Sequence, residues 1–136
     1  DDDDDDDDDD TCTIKASAAA NDVFTANTNA HLTFDGVAFR NGDRGLVVTA
    51  PAAIGAYSLT LRNVGATGNA RTGVYVTLAG STADAAVTVN GLALADNGVH
   101  GSYFESRTRS AAFDMSGVRA RRNTDYGIVI DGLTSG

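Results

Sequence analysis

Several residue types are scarce in this chain, and each scarcity excludes a class of protein. Cys12 is the only cysteine, which excludes an internal disulfide and a cysteine-based zinc site. No apolar stretch approaches the ~18 residues that a membrane-spanning helix requires, so the sequence predicts no membrane span. Proline occurs once and tryptophan is absent, whereas glycine occurs 15 times. This composition favours tight, repeated β-turns over helices.

An excess of basic charge is also lacking. The formal net charge is −9, from 19 acidic and 10 basic residues, but residues 1–10 are all aspartate. Without them, nine acids (19 less ten) face 10 bases, so the rest of the chain has no basic excess to attract nucleic acid. We interpret residues 1–10 as a disordered poly-aspartate segment, such as a tag, a placeholder or a calcium-binding tail. Residues 11–136 are predicted to form one domain.

Four segments of the chain repeat one pattern: asparagine, three variable residues, glycine, then alternating apolar residues. They are NGDRGLVV (41–48), NARTGVYV (69–76), NGVHGSYF (97–104) and NTDYGIVI (123–130), and their asparagines step by 28, 28 and 26 residues. A second alternating pattern precedes each of them, in LTFDGVAF (32–39), LTLRNVGA (59–66), VTVNGLAL (87–94) and FDMSGVRA (113–120). The alternation predicts strands, and its two-residue break predicts a bend between two short strands.

A unit of this size cannot bury its apolar face alone, but stacked units can. Each strand then pairs in parallel with its equivalent about 4.8 Å away. The period of about 26–28 residues per coil predicts an all-β fold, a right-handed parallel β-helix with three sides.

The repeat resembles that of the pectate-lyase-like superfamily, whose PbH1-type repeats run as alternating apolar residues, Asn, then Gly-Ile-x-Ile. The resemblance covers about residues 12–131. It implies a β-helix and an extracellular or cell-surface location. Because the superfamily includes lyases, hydrolases, epimerases, tailspikes and adhesins, it implies no single activity.

The turn before the third strand carries two residue types at repeated positions. The asparagines are predicted to form an inward amide ladder that satisfies backbone groups in neighbouring coils. Glycine is predicted to supply a positive φ after them. The ladder positions are Asn41, Asn69, Asn97 and Asn123, and the glycines are Gly45, Gly73, Gly101 and Gly127.

Aromatic and charged residues collect on the outer face of the strand that follows this glycine. The repeat register places Tyr75 beside Tyr103, and Glu105 beside Asp131. Tyrosine combines an apolar ring with a polar tip, which suits sugar contact. Two carboxylates one rung apart could hold Ca²⁺ or act as an acid/base pair, and no other cofactor is predicted. The binding candidates are Tyr75, Tyr103, Tyr126 and Arg107, and the catalytic candidates are Glu105, Asp131 and His100.

The Asn123-Thr124-Asp125 triplet matches the first motif of polygalacturonases, but the rest of their pattern is missing. No Asp-Asp pair and no Arg-Ile-Lys follows it, and the His-Gly at residues 100–101 precedes it. In addition, carboxylates about 5 Å apart would be closer than the roughly 6.5–9.5 Å that inverting glycosidases use. The triplet is therefore interpreted as an ordinary rung of the repeat.

The sequence favours a non-catalytic structural or adhesive module that contacts glycans through the strand face of Tyr75 and Tyr103. Two alternatives remain open. The chain could be a fragment of a polysaccharide lyase or glycoside hydrolase. It could also be a filament subunit that stacks through open β-helix ends, because neither end shows a capping helix or a charged plug.

Overall fold

The computed structural model describes residues 12–27, 31–50, 57–78, 84–108 and 110–132, so the predicted poly-aspartate segment lies outside the described residues. The described chain contains strands and turns but no helix. None of its segments forms a helix of the length and apolarity needed to cross a membrane. The strands are β1 Cys12–Lys15, β2 Phe24–Asn27, β3 Leu32–Asp35, β4 Val37–Arg40, β5 Leu46–Ala50, β6 Tyr57–Thr67, β7 Val74–Leu78, β8 Asp84–Ala95, β9 Ser102–Ser106, β10 Ser110–Arg121 and β11 Ile128–Gly132.

The strands form two parallel sheets in which equivalent strands of successive repeats are neighbours. One sheet has the order β1-β4-β6-β8-β10, with β3 also paired to β6, and the other has the order β11-β9-β7-β5-β2. The register follows the repeat, since Leu59 lies beside both Leu32 and Val87, and Val87 lies beside Phe113. The chain is therefore a parallel β-solenoid of about four turns, which confirms the predicted all-β coil.

The predicted bend is present in every repeat and divides the six-stranded sheet into two faces. The bend residue has a positive φ each time: 66° at Gly36, 51° at Asn63, 85° at Gly91 and 63° at Gly117. Three of the four are glycine, which adopts this conformation without a steric penalty. In the first repeat the bend separates β3 from β4, and in the later repeats one long strand runs through it.

The core lies between the sheets and is made from the inward side chains of stacked strands. Leu59, Leu61 and Phe39 are fully buried, in line with the alternation. Ile128 and Ile130 continue the same alternation on β11, but they are 40% and 50% exposed. Within the described residues β11 has a neighbouring strand on one side only, so no second coil covers them.

The amide ladder contains three of the four predicted asparagines. Asn69 and Asn97 are buried, and the Asn69 Nδ2 donates to Asn97 Oδ1 at 3.0 Å. Asn97 Nδ2 in turn donates to Asn123 Oδ1 at 2.9 Å and to the Ala66 carbonyl at 3.1 Å. Each amide thus satisfies the backbone of one coil and the side chain of the next.

The prediction for Asn41 is wrong. Asn41 is exposed with a φ of 62°, and its structural equivalent in the next coil is Gly68, with a φ of 67°. Gly42 occupies the ladder position, where its N–H donates to Asn69 Oδ1 at 3.1 Å. The first turn is one residue shorter than the others, so counting back from Gly45 misplaces the asparagine by one position.

The role predicted for the turn glycines is also wrong. None of Gly45, Gly73, Gly101 and Gly127 has a φ in the left-handed region. Glycine is required because the coils approach closely: a Cβ at Gly73 would lie 2.5 Å from the Gly101 carbonyl oxygen and 2.9 Å from Asn97 Nδ2. Sterics between coils, rather than backbone conformation, therefore select glycine at this position.

Candidate functional site

The outer face of the five-stranded sheet brings the predicted aromatic residues together. Strands β5, β7, β9 and β11 align Val47, Tyr75, Tyr103 and Val129 in one column. His100 directly precedes the turn glycine before β9, and Tyr126 directly precedes the turn glycine before β11. Because parallel strands repeat every ~4.8 Å, side chains in one column lie within contact distance of each other.

The rings form a continuous stack, which we call the aromatic stack: Tyr75, Tyr103, His100 and Tyr126. The Tyr75 and Tyr103 ring centroids are 5.4 Å apart at an interplanar angle of 11°. His100 lies 5.7 Å from Tyr103 and 5.6 Å from Tyr126, again stacked. Arg44 continues the stack with its Cζ 5.2 Å from the Tyr75 centroid, a cation–π distance.

Stacking changes how these tyrosines can contact a sugar. Sugar contact through an apolar ring face requires that face to be open, but Tyr75 and Tyr103 cover each other's faces, and Arg44 and His100 cover the outer ones. Edges and hydroxyl groups are left for a ligand. A sugar would therefore meet these two tyrosines from the side, through hydrogen bonds and ring edges.

A depression of about 290 Å³ opens beside the stack. Its lining comprises Arg44, Arg71, Thr72, Tyr75, Val99, His100 and Tyr103. The Nδ1 atom of His100 is buried and has no hydrogen-bond partner among the described residues. A buried polar atom without a partner is costly, but this atom has almost no accessible surface through which a ligand in the depression could reach it. The volume lies close to the smallest of the ~300–1,000 Å³ pockets that hold small molecules.

Two arginines at this depression were not among the predicted site residues. Arg44 is held by Asp22, with Nε–Oδ1 and Nη2–Oδ2 distances of 2.9 and 2.8 Å. This hydrogen bonding to Asp22 raises the pKa of Arg44. Arg71 is held in the same way by Asp43 of the preceding coil. Arg44 shares a repeat position with His100 and could have been found by that alignment, whereas the Arg71–Asp43 pair depends on the packing of coils.

The predicted catalytic carboxylates are neighbours, but each is already hydrogen-bonded. Glu105 lies opposite Asp131 on adjacent strands. Arg107 Nε donates to Glu105 Oε1 at 2.8 Å, and the Tyr103 hydroxyl donates to Asp131 Oδ2 at 3.1 Å. The hydrogen bond to Asp131 is the main cause that raises the pKa of Tyr103, and desolvation of the hydroxyl raises it further. In the described part of the chain no hydrogen bond joins His100 to either carboxylate.

On the strand face, metal binding was predicted as a calcium ion shared by Glu105 and Asp131, and the alternative of a calcium-binding tail at residues 1–10 lies outside the described residues. The described residues contain no group of three or more His, Cys, Asp or Glu side chains that could hold a metal ion. Two carboxylates supply fewer oxygens than the six to eight that Ca²⁺ takes. The calcium site therefore stays a prediction, and its only candidate ligands among the described residues are Glu105 and Asp131.

Comparison of the chain with protein-family models, curated proteins and solved structures found no match.

Proposed function

We propose that the chain is a non-catalytic structural or adhesive module of a secreted or cell-surface protein, related to the pectate-lyase-like superfamily, and that it contacts glycans through the strand face of Tyr75 and Tyr103. The observation that carries this proposal is the depression beside the aromatic stack. There, the aromatic side chains of Tyr75, Tyr103 and His100 adjoin the guanidinium groups of Arg44 and Arg71.

The chemistry of the depression suits a neutral sugar unit. A sugar offers hydroxyl groups to donors and acceptors and a weakly apolar ring to aromatic side chains. Arg44 and Arg71 each keep N–H groups beyond those used by Asp22 and Asp43, because a guanidinium carries five donors. The stack and the ion pairs hold these groups in place before a ligand arrives, which lowers the ordering cost of binding.

Binding of uncharged oligosaccharides tests the proposal, first on a glycan array and then by calorimetry. Replacing both tyrosines, Tyr75→Ala with Tyr103→Ala, is expected to weaken binding at least roughly tenfold. The matched control is Thr60→Ala with Thr88→Ala, which changes a pair on the outer face of the other sheet. Unchanged binding by the tyrosine variant, with a native circular dichroism spectrum, would exclude this face as the glycan contact.

One observation favours a second candidate, a fragment of a retaining glycoside hydrolase. Glu105 and Asp131 lie one rung apart, and retaining enzymes place their two carboxyl groups about 5–5.5 Å apart. Their bonds to Arg107 and Tyr103 weigh against it, because both carboxylates have structural partners. Release of reducing sugar that disappears in Glu105→Gln and in Asp131→Asn would establish catalysis and replace the first proposal.

A further inference from the structure

A second concave surface lies on the six-stranded sheet, away from the aromatic stack. We call it the basic groove. It encloses about 440 Å³, and its lining includes Arg40, Asn63, Gly65, Thr67, Ala93 and Arg119. The positive φ of Asn63, Gly91 and Gly117 turns each strand at this line, so the groove follows the bend from coil to coil.

The floor of the groove is formed by three small outward residues of one column, and the same column ends at Arg119 on β10. Ala38, Gly65 and Ala93 lie side by side on β4, β6 and β8. Gly65 has neither a positive φ nor a close neighbour: a Cβ there would lie 3.6 Å from the Ala38 Cβ, an ordinary contact. Packing therefore does not require glycine at this position, in contrast to Gly73. A glycine inside a strand often marks close approach of another molecule to the backbone.

Cations lie at both ends of this floor. The register places Lys15 beside Arg40 at one end, and Arg119 and Arg121 lie on β10 at the other. All four are exposed, and among the described residues no carboxylate forms an ion pair with any of them. By contrast, Arg44, Arg62, Arg71, Arg107 and Arg122 are all paired with an acid. Lys15, Arg40, Arg119 and Arg121 thus make a local positive surface in the described part of the chain, and of these Arg121 also interacts electrostatically with Asp96.

The spacing of the cations defines the shape of a ligand. Arg40 on β4 and Arg121 on β10 share one column and are three strand steps apart, about 14 Å at ~4.8 Å per step, and Arg119 lies two residues before Arg121. One carboxylate or one phosphate cannot bridge this distance, but an extended chain with several anionic groups can. The described lining contains no aromatic side chain on which the bases of single-stranded nucleic acid could stack. An anionic sugar chain needs no such platform.

We propose that the basic groove binds an acidic oligosaccharide, a sugar chain that carries carboxylate or sulfate groups. Its anionic groups pair with Lys15 and Arg40 at one end and with Arg119 and Arg121 at the other. The sugar rings between them lie over Gly65 and Ala93, where no side chain excludes them. Guanidinium groups suit this role because they form paired hydrogen bonds to planar and tetrahedral anions.

Calorimetry on the chain of residues 1–136 tests the charge requirement. The probes are hexasaccharides of heparin and of galacturonate, with maltohexaose as the uncharged probe and oligothymidylate as the nucleic-acid probe. Arg40→Gln with Arg119→Gln is expected to weaken acidic oligosaccharide binding at least roughly tenfold. The control is Arg62→Gln. Arg62 is an exposed arginine on β6 that does not line the groove, so this variant should retain binding.

Filling the floor tests the position of the ligand. Gly65→Val adds volume to the groove without a steric conflict at Cβ, so the thermal midpoint is expected to stay or rise while binding is lost. If Gly65→Val fails to fold, Gly65→Ala gives the same readout with a smaller addition. The Tyr75→Ala, Tyr103→Ala variant should keep acidic oligosaccharide binding, which separates this site from the glycan face proposed above.

Four outcomes would overturn the inference. They are no binding of either acidic hexasaccharide, an equal loss in Arg62→Gln and in the groove variant, full binding by folded Gly65→Val, and tighter binding of oligothymidylate than of any sugar. The last outcome would assign the groove to nucleic acid instead.

Discussion

Single residues of one type serve different purposes at different positions of the coil. Asn69 and Asn97 are buried and bridge two coils, whereas Asn41 is exposed in a left-handed conformation. The bend glycine Gly91 is selected by its φ of 85°, and the turn glycine Gly73 by the nearby carbonyl of Gly101. Residue identity therefore predicts a role only together with the position in the coil.

The ladder gives a direct test at this scale. Asn97→Ala removes the acceptor for Asn69 Nδ2 and the donor to the Ala66 carbonyl, both in buried surroundings. Each buried group left without a partner costs about 1–3 kcal/mol of the free energy of unfolding. The control Asn41→Gly changes an exposed asparagine at a φ that glycine also accepts, and should cost less than about 0.5 kcal/mol. Chemical denaturation measures both, and equal losses would contradict the ladder's role.

Ion pairs connect elements of successive coils on the outside of the solenoid. Arg44–Asp22, Arg62–Asp35, Arg71–Asp43 and Arg122–Asp96 each join one repeat to the repeat before it. Exposed pairs of this kind contribute little individually. Repeated along the surface, they favour the observed register over a slipped one, because a slip would separate each pair.

The Arg71–Asp43 pair predicts a dependence of stability on pH. Hydrogen bonding from Arg71 lowers the pKa of Asp43 below its ordinary value of 3.8. The resulting stabilisation is fully present above that value and is lost as the pH falls through the lowered pKa. Arg71→Gln should therefore lower the unfolding midpoint at about pH 5 and differ less from the parent chain at about pH 2.

The control for this experiment is Arg40→Gln, because Arg40 pairs with no carboxylate of the described chain. The unfolding midpoint of Arg40→Gln should differ from that of the parent chain by the same amount over this pH range. A gap between Arg71→Gln and the parent that widens in acid would show that the pair does not act through Asp43.

The whole molecule is a stack in which each coil contacts its neighbours, so its stability is expected to vary along the axis. The central strands β6 and β8 carry fully buried leucine and valine side chains such as Leu59 and Val87. Strand β11 carries Ile128 and Ile130, which are 40% and 50% exposed. The local free energy of opening should therefore be highest in the middle of the described solenoid.

Amide hydrogen exchange checks this gradient. Amides of β6 and β8 are expected to exchange roughly two orders of magnitude more slowly than those of β1 and β11. The comparison uses amides that are hydrogen-bonded between strands in both groups, so that bonding itself does not cause the difference. Equal protection in all strands would mean that the solenoid opens as one cooperative unit.

Periodicity was sufficient to predict the strands, the bend and the parallel stacking of coils. Alternating apolar residues specify which side of a strand is buried, and a repeat near 27 residues specifies which strands are neighbours. The same reasoning placed Tyr75 beside Tyr103 and Glu105 beside Asp131, as the register shows. These are properties of the chain's local pattern and its repetition.

Packing between coils settled what the pattern left open. The turn before Gly45 is one residue shorter than its equivalents, so Gly42 rather than Asn41 occupies the ladder position. Backbone hydrogen bonds, rather than residue identity, align the turns of neighbouring coils. Stacking closed the ring faces of Tyr75 and Tyr103. Ion pairs engage Arg44 and Arg71, whereas within the described residues none engages Arg40 or Arg119. Such features depend on distances between side chains that lie about one repeat apart in sequence. These distances are set only when the coils are stacked, and no pattern along the chain specifies them.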